Sequence, residues 1–363
     1  MKRVALLLSF VVVLISCTKN EETNKVLHVY NWNGYNDETT LPEFEKRFGV
    51  KVVLDNYDTN EVLEAKLLVG KSGYDIVVPS ANFAERFISS GLLLKLDKSK
   101  IPNLKNVDPV IAEKLQAYDP GNQYLVDFMW GSLGIGINTE KVKKRLGNVP
   151  LDSWKLLFDA SVVKKLGDCG VGLLDDAELY TLALHYLGLD YKVKTKENLD
   201  KAQKLLMSIR PYVRYIDSTK YKDDLASGEI CISLAYNGDI LQSQELVAQS
   251  NNNFKVEYIL PKEGSIVWFD TIAIPADAPN PELAHLFINY ILEPQVSANL
   301  SNYINYANAN KESLPLIDDK IKNNPVVYPN EKIMSTLFPT KQDDQEITRY
   351  VTELFTKFKS SIK

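Results

Sequence analysis

Histidine and cysteine are scarce, three of each in 363 residues. His28, His185 and His285 each fall within a strand-like or helix-like pattern, and none neighbours a candidate nucleophile. No His/Cys spacing suits a metal and no G-x-S-x-G is present, so the chain reads as a non-enzyme without metal or cofactor. Lysine and arginine total 42 against 47 acidic residues, with no basic stripe, which argues against a nucleic-acid partner. Repeats and low-complexity tracts are missing too. The one glycine cluster, Gly131-Ser132-Leu133-Gly134-Ile135-Gly136, has the wrong order for a dinucleotide loop, and no helix follows it at once. A glycine-rich strand crossing between two domains is the better reading. Beyond Ala5–Ile15 no apolar stretch nears membrane-spanning length, and that one is too short for a permanent span.

Ala5–Ile15 does have the form of a leader. Lys2 and Arg3 precede it, and Leu14-Ile15-Ser16-Cys17 ends it in a stretch that resembles the lipobox of bacterial lipoproteins. That resemblance implies cleavage after residue 16, a lipid on Cys17 and a membrane-anchored mature chain, with 17–25 as a tether. Loss of Lys2 and Arg3 makes a chain of formal net charge −5 more acidic still. Cys169 and Cys231 remain, either as one disulfide of an oxidising envelope compartment or as two buried thiols.

From Val26 the pattern is α/β. Strand signals at 26–32, 50–57 and 74–79 alternate with helix signals at 42–48, 60–69 and 82–89, which predicts a parallel sheet covered on both faces. Ligands of such sheets meet the carboxyl ends of strands, here 32–35 and 80–82. A second set follows: strands at 170–174, 230–236 and 254–260, and helices at 177–187, 196–209, 224–227 and 239–249. Helices over 281–292, 294–303 and 347–358 complete the chain. Its length suits two domains.

Ile266–Pro275, read as IVWFDTIAIP, is an apolar β-branched run that predicts a buried strand, yet it contains Asp270. A carboxylate there is costly to desolvate unless something cationic or hydrogen-bonding meets it. Alternation along a strand puts Trp268 on the same face, and an indole beside a carboxylate suits an amine. A capping Asp beside a core tryptophan is the plainer alternative.

Several motifs in series then resemble the spermidine/putrescine-binding proteins of bacterial ABC importers, from about Val26 to the C-terminus. They are Tyr30-Asn31-Trp32-Asn33-Gly34-Tyr35, Tyr74-Asp75-Ile76-Val77-Val78-Pro79-Ser80, and Trp130-Gly131 with Gly136-Ile137-Asn138. Leu174-Asp175-Asp176-Ala177, Tyr236-Asn237-Gly238, Trp268-Phe269-Asp270 and Ile304-Asn305-Tyr306 continue the order. The resemblance implies a two-lobed, type II (Venus-flytrap) periplasmic-binding-protein fold with a ligand cleft between the lobes. One lobe would hold 26–135 plus 269–307 and the other 136–268 plus 308–363. It implies a monomer that binds a polyamine and delivers it to ABC permease subunits, lipid-anchored in the periplasm. Ligand contacts would be Trp32, Tyr35, Ser80, Asp176, Tyr236, Asp239, Trp268, Asp270 and Tyr306, together with Asn82 and Gln342.

Gly34 and Leu179 stand where the family often has acids, and a one-residue helical step of ~100° predicts that Glu178 does not replace Leu179. With Asp239 gained, the pattern favours putrescine over, or equally with, spermidine. The rival readings are the same fold binding an amino acid, a sugar or a metal, and a surface-interaction lipoprotein that needs no cleft.

Overall fold

The structure is a computed structural model and describes residues 25–250, 253–341 and 343–361. The leader, Cys17 and Gln342 lie outside the described residues. Strands β1 (Lys25–Trp32), β2 (Val50–Tyr57) and β3 (Ile76–Val77) form a parallel sheet in the order β2-β1-β3. Helices Thr40–Phe48, Asn60–Leu68 and Ala81–Ser89 follow the three strands in turn. The expected strand over 74–79 pairs with β1 only at Ile76 and Val77. Past Val77 the backbone turns to a different partner: Val77 and Ser80 bridge Ala273 and Asp270, and Thr271 donates its N–H to the Pro79 carbonyl.

The second sheet contains β4 (Val126–Asn138), β5 (Val171–Leu173), β6 (Tyr215–Ile216), β7 (Ile232–Tyr236), β8 (Val256–Ile259), β9 (Ser265–Ile272) and β10 (Leu337–Pro339). Its order is β10-β9-β4-β7-β5-β6, with β8 also on β4. The first half of β4 pairs antiparallel with β9, from Val126↔Ile272 to Ser132↔Val267. Its second half pairs with β7, from Leu133↔Tyr236 to Ile137↔Ile232. One strand therefore runs from one packed unit into the other.

The glycines of that strand serve close approach. A Cβ on Gly131 would lie 2.4 Å from the Trp268 ring, and one on Gly136 would lie 2.4 Å from Ile240. Side chains there would drive the neighbouring layer away.

Two bodies of core result. One packs β5, β7 and β8 with helices Glu178–Tyr186, Lys196–Ile209 and Gln345–Ser360 through residues such as Trp154, Tyr180, Leu206 and Phe358. The other gathers the first sheet, β9 and helices Pro281–Ile291 and Pro294–Ile304 in two adjoining clusters. Residues 308–337 were expected in the lobe of 136–268, but Ala309, Ile317, Ile321 and Val327 pack in the body of the first sheet, beside Leu63 and Phe87. Their apolar faces continue the packing of helix Pro294–Ile304; Val326 touches the other body, and the chain crosses back to it near β10. Of the two open states for the cysteines, the structure has Cys169 and Cys231 joined, with a Cα separation of 5.5 Å.

Candidate ligand cleft

Asp270 lies on β9, one side chain along from Trp268 on the same face, and is 6% exposed. The Tyr35 and Ser80 hydroxyls each donate to it at 2.7 Å, one to each oxygen. Ser80 is held in turn by Asn60, whose side chain accepts from the Ser80 N–H at 3.0 Å. Burial pushes the Asp270 carboxyl up to about 6, while the two hydroxyls pull the other way.

Asp239 sits in the first turn of helix Asn237–Gln249, where a negative charge suits the helix dipole. It accepts from the Tyr306 hydroxyl at 2.9 Å and from the Tyr221 hydroxyl. Burial raises its pKa; the two phenols and the Lys222 charge oppose that rise. Gly238 makes the approach of Tyr306 possible, since a Cβ there would lie 2.4 Å from the ring.

Asp176 follows β5 in a short loop, accepting from the Tyr236 hydroxyl at 3.1 Å and the Glu178 N–H at 2.8 Å. Glu178 is the acid that the helical phase argument placed outside the site. Its carboxylate accepts from Thr340 at 2.8 Å and from Asn82, one of the expected contacts, at 3.4 Å. Leu179 instead is fully buried in the core. The helix begins only at Glu178, so its first turn leaves Glu178 facing the neighbouring segments. Burial raises both carboxyls, and the Asp176 charge helps to lift Glu178 to about 8.

Aromatic rings separate these acidic positions. Trp268 meets Tyr306 edge to face at 4.9 Å and Tyr236 at 6.0 Å, and Tyr35 lies 6.3 Å from Tyr306. Trp32 packs on Tyr57 at 4.6 Å and approaches Tyr35 at 6.5 Å. Desolvation, with carboxylates alongside, holds the Tyr35, Tyr236 and Tyr306 phenols well above their ordinary range, so they remain donors. The indole N–H groups of Trp32 and Trp268 are buried without a hydrogen-bond partner among the described residues. None of Asp176, Glu178, Asp239 or Asp270 joins an ion pair among the described residues.

The geometry thus brings together all nine principal positions expected from the sequence, and Asn82 at their edge. Thr340 and Tyr221, which hydrogen-bond Glu178 and Asp239, were not singled out in the sequence, and Glu178 was considered and set aside. Only Glu178 left a trace in the sequence, as an acid beside the Asp175-Asp176 motif.

Two α/β bodies joined by shared strands, with a polar site where they meet, define a two-lobed solute-binding protein of the periplasmic type. The sequence matches the bacterial extracellular solute-binding protein family over residues 40–329, and the chain belongs to that family. It is 45% identical over 339 residues to the putrescine-binding periplasmic protein SpuD of Pseudomonas aeruginosa, covering 93% of this chain and 92% of that one. It is 42% identical over 339 residues to the putrescine-binding periplasmic protein PotF of Escherichia coli, with the same coverage. Among solved structures it resembles the spermidine/putrescine ABC transporter substrate-binding protein PotD of Streptococcus pneumoniae, with a TM-score of 0.78 and 27% identity. That match covers 92% of this chain and 98% of the other.

Proposed function

We propose that this chain is an extracytoplasmic substrate-binding protein that captures polyamines, spermidine and/or putrescine, and hands them to the permease subunits of an ABC importer. The observation that carries the reading is a set of carboxylates, Asp270 buried and Asp176, Glu178 and Asp239 half-buried, in no ion pair among the described residues and set between aromatic walls. A polyamine supplies what such a site lacks. Its amines, with pKa near ~10, arrive charged, and its methylene runs suit the rings between the acids. Buried carboxylates without counter-charges are otherwise expensive.

In this reading Asp270, Asp239 and Asp176 take ammonium groups. Trp32, Tyr35, Tyr236, Trp268 and Tyr306 cover the methylenes, Ser80 orients Asp270, and Asn82 closes the rim. The chain performs no catalysis. Lipidated Cys17 anchors it in the periplasm, with 26–130 and 267–337 as one lobe and 133–266 and 338–361 as the other. A thermal-shift panel tests the assignment: spermidine and putrescine raise the melting temperature, whereas lysine, arginine and sugars do not. No shift with either polyamine would sink it.

A further inference from the structure

Lys222 stands behind one of the acids, and nothing in the polyamine reading accounts for it. It directly follows Tyr221, whose hydroxyl donates to Asp239. Its backbone carbonyl accepts from Ser243 at 2.8 Å, and the same hydroxyl reaches the Asp239 carbonyl at 3.1 Å. Its ammonium donates to Gln242 at 3.0 Å. Gln242 is one helical turn beyond Asp239 on the same face, and its amide donates at 3.3 Å to the Ile304 carbonyl, two residues before Tyr306. The ammonium is therefore held at Gln242, one turn beyond Asp239 along the helix. Among the described residues it has no carboxylate within ion-pair distance, so its charge is not cancelled locally. The Lys222 charge is also the cation felt by the Asp239 carboxyl.

A cation in that place has two effects on a cationic ligand. It favours the ionised form of Asp239 against burial, which readies the acid for one ammonium. It also repels any second positive charge carried past Asp239 along the helix. We propose that Lys222 is a specificity-determining residue: it leaves Asp239 free to accept a terminal ammonium and disfavours polyamines that extend a further charge beyond it. The inference rests on the polyamine reading of the cleft and sharpens it, from polyamines in general to ligands whose charged end stops at Asp239. Diamines meet that condition more easily than triamines.

The test is the ratio of spermidine to putrescine affinity, measured by calorimetry on wild type and on Lys222→Gln, Lys222→Met and Lys222→Arg. A ratio removes the proton competition at Asp239, which acts equally on both ligands. Two neutral variants are used so that poor folding of one leaves the other to decide. The expected result is a rise of about fivefold or more in favour of spermidine in the neutral variants, and a ratio within about twofold of wild type in Lys222→Arg. A ratio unchanged in the neutral variants, whatever their melting temperatures, would make Lys222 a purely structural side chain and overturn the inference. Absence of any polyamine binding by wild type would overturn the reading of the cleft itself, and this inference with it.

Discussion

Asp270 is a single residue whose chemistry conflicts with its surroundings. A carboxylate inside IVWFDTIAIP violates the pattern around it, and the violation needs a partner. The structure supplies two hydroxyl donors and leaves the charge itself unmatched. Replacement by Asn keeps the shape and removes the charge, so Asp270→Asn is expected to cost ~3 kcal/mol of polyamine binding, roughly a hundredfold. Calorimetry with an unchanged dissociation constant would return Asp270 to a structural role. The same residue predicts a pH dependence. Its folded pKa of about 6 lies above the ordinary 3.8, so the folded chain holds this proton more tightly than the unfolded one. Its contribution to the stability of the empty protein therefore falls as pH rises between those values, by about 3 kcal/mol in total. Ligand affinity runs the opposite way. An ammonium wants the carboxylate, so binding weakens below pH ~6 by up to ~tenfold per unit, and the raised Asp176, Asp239 and Glu178 add to the slope. Titrations at pH 5 and pH 7.5 with equal affinities would contradict this. Glu178 marks the limit of such reading: Asp176 marks the helix start by accepting its N–H, but the segment its carboxylate meets, at Thr340, lies far along the chain.

At the scale of elements, long strands and capped helices were legible because period and punctuation agreed. Thr59 accepts from the Val62 N–H, and Gly49 closes helix Thr40–Phe48 in the left-handed region, both residue types that favour these positions. β6 and β10, of two and three residues, carry too little period to be read and exist because a neighbour pairs with them. The glycine cluster of β4 was legible as a crossing, but the reason for its glycines was not. Gly131 is small because Trp268 and the Asn237 carboxamide press on it from two sides, each 2.4 Å from where a Cβ would stand. Gly131→Ala is thus expected to displace Trp268, lowering stability by ~1–3 kcal/mol and polyamine affinity by roughly tenfold or more. Melting curves and titrations both check it. Wild-type affinity at reduced stability would mean that the Trp268 ring does not form the ligand wall.

At the scale of the whole molecule, the order of α/β units along the chain implies two bodies, whereas the return of residues 308–337 to the body of the first sheet depended on which apolar faces were free to receive them. The bodies meet through a few specific contacts. Tyr306 reaches Asp239, Asn82 reaches Glu178, and the Asn237 amide donates to the Val326 carbonyl at 3.0 Å. A ligand held by residues of both bodies would stabilise these contacts and shift the population of closed molecules. The four tryptophans divide cleanly as reporters of that shift. Trp130 and Trp154 are buried in the two cores, with their N–H groups donated to the Asn308 and Gly264 carbonyls. Trp32 and Trp268, the proposed ligand walls, have N–H groups without a partner among the described residues, so a cation bound there and the loss of water would alter their surroundings first. Saturating polyamine is therefore expected to change the intrinsic fluorescence of wild type. The change should persist in Trp154→Phe and fall by more than about half in Trp268→Phe, even at ligand concentrations that saturate the variant. A full-sized response in Trp268→Phe would place the optical change, and with it the ligand, away from the wall built by β9.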